Sequence, residues 1–413
     1  MLDEGDTSYQ SAFRTMTHSR SPTAACIRRR LVLHVPGYEP LGSAEQRDRL
    51  ARTLAYSARV WSLKAAVGPG RPSANGTVLE FHARLTGRDW ATATEIRILD
   101  WSDLVAEDLT RPLPVRLLRA TVAILGLIVS GTLGRYRRAH WRYACFALLP
   151  LTMIMLAAAV ATTGGILLGG WGGLALGLGT FTLLLAVADR KGHLGHLCAD
   201  WIFALDIAHG RRPSYIAKIA RFADEIRAAA AQPEVDELLL VGHSLGMVLL
   251  TEAVVIALGR DPTLLRRPYR LALVGLGSSL LKIALMPAAG RLRDAIARLA
   301  AEPGLIWLDY TSRRDIVSFH RANPIDVLGL PGNGPRIGII HPRDMVHARV
   351  WRRMCLSVLR QHRHYVMGNE RRYFFDYGLM LCGPGAIGRD PTPDHLLGTD
   401  GAVIAAPHSV WAA

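Results

Sequence analysis

Five residues in mid-chain, Gly242-His-Ser-Leu-Gly246, have the types and spacing of a nucleophilic serine. The apolar run Glu237-Leu-Leu-Leu-Val241 before them reads as a strand, and Met247 to Leu258, closed by Gly259, reads as a helix. A strand that turns into a helix over so few residues leaves no room for side chains beside the serine. Glycines must therefore flank it, and the Ser244 hydroxyl is expected to stand clear of the sheet edge. A serine hydroxyl is a weak nucleophile at neutral pH. It needs an imidazole to take its proton and normally a carboxylate to fix that imidazole's tautomer. Other chemistries find less support. Gly275-Leu-Gly277-Ser-Ser-Leu280 lacks the third glycine of a dinucleotide loop, and no Gly-Lys-Ser/Thr phosphate loop occurs. His193, His196 and Cys198, with Asp200 close by, have the ligand types of a zinc site, but directly after an apolar span they read as a juxtamembrane helix face. No metal and no cofactor is expected.

In this setting the chain resembles the α/β-hydrolase superfamily, and the likeness extends beyond the serine turn. Leu31-Val-Leu-His-Val-Pro-Gly-Tyr38 is similar to the early strand and loop where those enzymes place a His-Gly oxyanion segment, with Val-Pro inserted between His34 and Gly37. The resemblance implies oxyanion donors at the backbone N–H of Leu245 and at Gly37 or Tyr38, with His34 a core-facing strand residue. It also implies the chain order serine, acid, histidine. Asp315, in a polar loop just beyond the strand-like Leu305–Tyr310, is the preferred acid; Asp309, within that strand, is the competitor. Among the histidines that follow, His320 is too close to Asp315 for an intervening strand, whereas His341 and His347 follow the strand-like Arg336–Ile340. Arg360-Gln-His362-Arg-His364-Tyr-Val-Met-Gly-Asn369, continuing to Phe375-Asp-Tyr377 and Cys382-Gly-Pro384, is similar to the closing segment of a group of membrane-inserted bacterial α/β hydrolases. In that group a His-x-x-Tyr pattern carries the base, and His362 and Tyr365 match it; His347 and His364 remain the alternatives. The likeness also takes in Trp101-Ser-Asp103, the Arg-rich approach to the apolar region and Gly275–Ser279, and leaves out residues 1–25 and the extreme C-terminus.

The elements that must hold these residues include a membrane part. Mean hydropathy is +0.18 and half of the 413 residues are apolar. From Tyr143 to Ala188 no Asp, Glu, Lys, Arg or His occurs. As one helix that run would be about 69 Å long, roughly twice a hydrocarbon core, so it is expected to fold back. The spacing predicts spans at 143–163 and 167–188 broken at Thr162-Thr163-Gly164-Gly165, with Trp141 and Trp171 at opposite interfaces. Gly165, Gly169, Gly173 and Gly177 recur every fourth residue and predict a close-packing face, toward the first span or, alternatively, toward a homodimer partner. Arg and Lys at both ends, with an uncharged connection, place both ends on the cytoplasmic side of a bacterial inner membrane. Thr121 to Gly134 is too short to cross, so 113–134 is taken as interfacial or re-entrant. Seven arginines and no acid between Arg111 and Arg142 carry nearly half of the net charge of +15, which points to anionic lipid headgroups rather than nucleic acid. Five cysteines without a CxxC spacing fit free thiols, and the polar, acidic N-terminus lacks the pattern of a signal peptide.

The soluble parts alternate strand-like runs (31–35, 78–85, 95–99, 237–241, 271–276, 305–310) with helical patterns such as Ile216, Ile219, Ala223 and Ile226 after Pro213. This predicts a doubly wound, mostly parallel α/β sheet with the helical hairpin inserted in it. The expected division is a tail at 1–25, a first hydrolase part at 26–110, a membrane insertion at 111–192, a second part at 193–388 with the catalytic residues, and a tail at 389–413. Strands before residue 100 and after residue 236 must share one sheet, which an even number of crossings allows. The reading is a membrane-inserted serine hydrolase acting on a small-molecule or lipid ester or thioester. Its rival is an inactive scaffold of the same fold that binds a lipid or a protein partner.

Overall fold

The computed structural model describes residues 26–73, 76–232, 234–388 and 396–404. Nine strands form one sheet: β1 Arg29–Val35, β2 Lys64–Val67, β3 Arg71–Pro72, β4 Val78–Thr86, β5 Ala91–Leu99, β6 Glu237–His243, β7 Arg270–Leu276, β8 Ile306–Thr311 and β9 Arg336–Ile339. Their order is β2-β4-β5-β1-β6-β7-β8-β9, with β3 paired to β4. From β5 to β9 every pairing is parallel; β4 runs antiparallel to β5, β2 and β3. Strands from both sides of the apolar region therefore do share the sheet, since β1 lies between β5 and β6. The two halves are locked where Arg30 faces Glu237 in register and pairs with it at 2.7 Å, both side chains fully buried.

The near-continuous Leu/Val strands are apolar on both faces because both faces are covered. Leu31, Leu33, Leu238, Leu240, Leu271 and Leu273 point into one core, while Val32, Leu239, Val241, Ala272 and Val274 point into the other. Helix α1 (Ser43–Trp61) packs on the second core through Leu50, Leu54 and Trp61. After β5 come α2 (Ser102–Thr110), α3 (Leu113–Val129), α4 (Thr132–Ala139), α5 (Trp141–Leu168), α6 (Gly170–Gly192), α7 (Leu194–Ala208) and α8 (Pro213–Ala230). Helix α8 lays Ile219, Phe222, Ala223 and Ile226 on the first core, beside α9 (Gly246–Arg260). The short α10 (Leu280–Ala284) follows β7.

Helices α5 and α6 are long and apolar enough to cross a membrane. They lie antiparallel, but the reversal falls at Gly169 and Gly170, both at positive φ, and not at the expected Thr162–Gly165. The Thr-Thr-Gly-Gly stretch stays helical because its glycine is needed for packing: a Cβ on Gly165 would lie 2.8 Å from the Gly173 carbonyl oxygen. The four glycines consequently do not share a face of one helix. Gly165 belongs to α5, Gly169 to the turn, and Gly173 and Gly177 bring α6 onto α5 at Gly165 and Ala161. Of the two expected partners for these glycines, the first span is the one that Gly173 and Gly177 meet.

The first turns of α5 are inside the protein, with Tyr143, Phe146, Ala147 and Pro150 buried, whereas Leu156, Val160, Leu167 and Leu168 are exposed. Helix α3 exposes Val115, Leu118, Val122, Leu125 and Val129 along one side and buries Ala120, Ala123, Ile124 and Leu127 on the other. Arg119, with much of its side chain exposed, pairs with the mostly buried Asp206 of α7 at 3.1 Å.

The expected tails at 1–25, 389–395 and 405–413 lie outside the described residues. Residues 396–404 do not continue a tail: Leu397 is buried, and the Trp90 indole donates to the Gly401 carbonyl at 2.9 Å.

Candidate active site

The site assembles at the carboxyl ends of β1, β6, β7 and β8. Ser244 follows β6 with φ of 55°, a left-handed conformation that costs a side-chain-bearing residue about 1–2 kcal/mol. Its neighbours have no latitude. A Cβ on Gly242 would sit 2.6 Å from Met247 Cα, and one on Gly246 would sit 2.3 Å from the Pro36 carbonyl oxygen and 2.4 Å from that of Val35. Steric need, not flexibility, fixes the glycines of Gly-His-Ser-Leu-Gly.

The loop after β1 lies against this turn. A Cβ on Gly37 would approach Ser244 Cβ to 3.2 Å and His243 Nδ1 to 2.8 Å. The loop is held by Trp101, whose indole donates to the Pro36 carbonyl at 2.8 Å, and by Tyr38, whose hydroxyl donates to Asp108 at 3.1 Å. Glu39 is ion-paired to Arg49 at 2.6 Å with both side chains buried. Burial works to raise the Glu39 carboxyl, but the hydrogen bond and charge of Arg49 outweigh it and hold the group down at about 2. Leu245 thus follows the serine directly and Gly37 adjoins it, with Tyr38 next in the loop. His34 is fully enclosed, reaches the Tyr377 hydroxyl at 3.2 Å, and is lowered by burial to about 3.

Asp315 and His362 come together, 47 residues apart in sequence: His362 Nδ1 lies 2.8 Å from Asp315 Oδ2, and both residues are buried. Asp315 also accepts from the Val317 N–H at 2.9 Å. Burial pushes its carboxyl up, but the charge and hydrogen bond of His362 prevail, so its pKa lies below the ordinary value. The His362 ring rests on Gly277, where a Cβ would be 3.2 Å from its Cε1, and beside His243 at 5.0 Å between ring centres. Leu276 and Ser279, on either side of Gly277, hold the backbone of Ser244: the Ser244 N–H donates to the Leu276 carbonyl at 3.0 Å, and the Ser279 N–H to the Ser244 carbonyl at 3.2 Å. The serine and the imidazole therefore flank the same short turn. The Ser244 and Ser279 hydroxyls share a hydrogen bond of 3.3 Å, while His362 Nε2 is buried without a hydrogen-bond partner among the described residues.

None of the other candidates hydrogen-bonds Ser244 or His362 through its side chain among the described residues. Asp309 sits under Gly275, fully buried, and burial raises it to about 7. His341 and His347 are exposed, and His320 packs near His140. His364 is buried and lowered by burial to about 4. The grouping of His193, His196, Cys198 and Asp200 comes apart on α7: Cys198 is packed among Ala120, Leu194 and Ile202, whereas His196 lies 5.3 Å from the Tyr38 ring and Asp200 pairs with Lys282.

Sequence reasoning missed Ser279 as the partner of Ser244, although Gly275–Ser279 was noticed as a motif. It also missed Glu39 and Arg49, Lys282, and Tyr143 at the base of the hairpin. A buried lysine in the apolar run Leu280–Met286 was the one available signal.

Comparison of the chain with protein-family profiles, curated proteins and solved structures gives no match to a family and no significant match to a curated protein or a solved structure. The functional reading therefore stands on the geometry.

Proposed function

We propose that the chain is a membrane-associated serine hydrolase of the α/β-hydrolase type that cleaves an ester or thioester through an acyl-enzyme. The observation that carries this reading is the left-handed Ser244 between two obligatory glycines, beside a buried His362–Asp315 pair. With Asp315 ionised, His362 donates its Nδ1–H to it and keeps the Nε2 lone pair free. Turning from Ser279 toward Nε2, the Ser244 hydroxyl gives up its proton there while Oγ attacks the carbonyl carbon. Leu245 N–H, with Gly37 or Tyr38 N–H, takes the charge on the oxyanion. Collapse of the adduct breaks the bond to the leaving group, which receives the proton from Nε2. Water, deprotonated by the same nitrogen, then releases the acid and restores the serine.

The apolar hairpin and the exposed stripe of α3 support a bilayer location and lipid-derived substrates. The arginines around the hairpin base support the cytoplasmic face of a bacterial inner membrane. No cofactor or metal enters this mechanism. A second reading, an inactive scaffold that binds a lipid or protein, draws on the Ser244–Ser279 hydrogen bond and the unpartnered His362 Nε2. Fluorophosphonate labelling of the full chain in detergent separates the two. An enzyme is labelled at Ser244, and the label disappears in Ser244→Ala and His362→Ala; a scaffold stays unlabelled with its fold intact.

A further inference from the structure

The histidine of Gly-His-Ser-Leu-Gly takes no part in the reaction above, yet three parts of the site meet at its ring. His243 is the last residue of β6, is buried, and leads directly into Ser244. On one side its Nε2 lies 3.2 Å from the main-chain carbonyl oxygen of His362, and the two rings are tilted by 33° with centres 5.0 Å apart. A carbonyl oxygen can only accept, so the proton sits on Nε2 and Nδ1 carries the lone pair. On the other side stands the loop after β1, where a Cβ on Gly37 would be 2.8 Å from Nδ1 and 3.3 Å from Cε1. Burial lowers the ring to about 3 and so keeps it neutral near pH 7; Glu39 and Arg49, whose charges also act on it, are paired with each other. His362 needs a hold of this kind. It stands in the last turn of the short helix Val358–Arg363, where main-chain carbonyls have no donor within the helix. Asp315 fixes its ring at Nδ1, which sets the rotation of the imidazole but not the place of the main chain that carries it. A second, more exposed tie runs from the same segment to the loop of Gly37: Arg363 reaches Glu39 at 3.4 Å.

From this arrangement we infer that His243 is a positioning residue: its Nε2–H, given to the His362 carbonyl, sets how far the base stands from the serine. The ring acts at the same time as a spacer toward Gly37. The inference rests on the serine-hydrolase reading and adds to it the group that places the base. No proton of the reaction passes through His243, because Nε2 is committed to the carbonyl and Nδ1 faces Gly37.

The test is fluorophosphonate labelling of the full chain in detergent, followed to completion so that the rate constant and the final stoichiometry are read separately. His243→Leu removes the donor and keeps an apolar bulk. His243→Asn keeps an amide N–H but is one bond too short to reach the carbonyl. His243→Gln carries its N–H the same number of bonds from the main chain as Nε2. The Leu and Asn variants are expected to label to full stoichiometry at a rate constant lowered about 10–100-fold, the effect of a base displaced by up to about 1 Å. The Gln variant is expected to return to within about threefold of the wild type. Wild-type rates in the Leu and Asn variants overturn the inference, as does a Gln variant as slow as they are. Fewer labelled molecules at an unchanged rate constant assign His243 a merely structural role and overturn it too. If His243→Leu does not fold, the two amide variants carry the same comparison. A wild type that is never labelled refutes the serine reading itself and takes this inference with it.

Discussion

The sharpest test of how the site is built is Gly246→Ala. The new methyl carbon would stand 2.3 Å and 2.4 Å from two carbonyl oxygens of the chain that leaves β1, and neither obstacle is a side chain that can rotate aside. The loop at 35–37 must retreat by about 1 Å to restore an ordinary contact distance. That displacement moves Gly37, which touches the serine turn, and a misplacement of about 1 Å at a catalytic group costs on the order of 100-fold. The overpacking should also destabilise the fold by about 1–3 kcal/mol. The control sits on the same helix: a Cβ on Gly259 meets nothing within 4 Å, so Gly259→Ala should label normally and be more stable by about 0.5–1 kcal/mol. Fluorophosphonate labelling rates and thermal unfolding in one detergent measure both. A Gly246→Ala protein that labels at the wild-type rate would refute the claim that β1 and the serine turn are in fixed, rigid contact.

Further outcomes follow from the same geometry. Asp315→Asn keeps the shape of the buried pair but removes the charge that selects the Nδ1–H tautomer, so labelling should fall by roughly 10³–10⁴, while His347→Ala and Asp309→Asn leave it within a few-fold; equal rates for Asp315→Asn and wild type would discard Asp315. Ser279→Ala frees the Ser244 hydroxyl from its present partner, and labelling should hold or rise; a fall of more than tenfold would make Ser279 part of the machinery. His34 and His243 are lowered by burial to about 3 and His364 to about 4, from 6.5. The unfolded chain takes up protons at these histidines that the folded chain refuses, so their stabilising contribution is complete above pH 6.5 and is lost progressively as pH falls, down to about 4 for His364 and about 3 for His34 and His243. A melting temperature flat from pH 7 to 5 would contradict their burial.

The parallel strands and the serine turn were legible because local rules write them: continuous Leu/Val runs, and glycines that sterics demand. The short strands β2 and β3 were not, since a polar, exposed edge such as Lys64 or Arg71-Pro72 carries no apolar alternation. The hairpin reversal was displaced by a turn because a glycine that admits a neighbouring helix looks, in one dimension, like a glycine that ends one. The His362–Asp315 contact was reached only through resemblance, since no periodicity links residues 47 apart. The partners of Ser244, Tyr38 and Lys282 arise where separate elements meet, and nothing in a linear reading brings those together.

The place of β1 in the sheet bears on how the protein is made. Its partner on one side, β5, is synthesised about 60 residues later, but its partner on the other, β6, waits until residues 237–243 emerge. At ordinary elongation rates that is a delay of roughly 10–40 s during which one edge of β1 has no neighbour. Leu31, Val32 and Leu33 on that open edge are what a second nascent chain could pair with. The apolar hairpin is translated inside this interval. Ribosomes delivered to the membrane by it would hold the half-built sheet apart from other copies until β6 arrives, so anchoring would serve biogenesis before it serves any reaction.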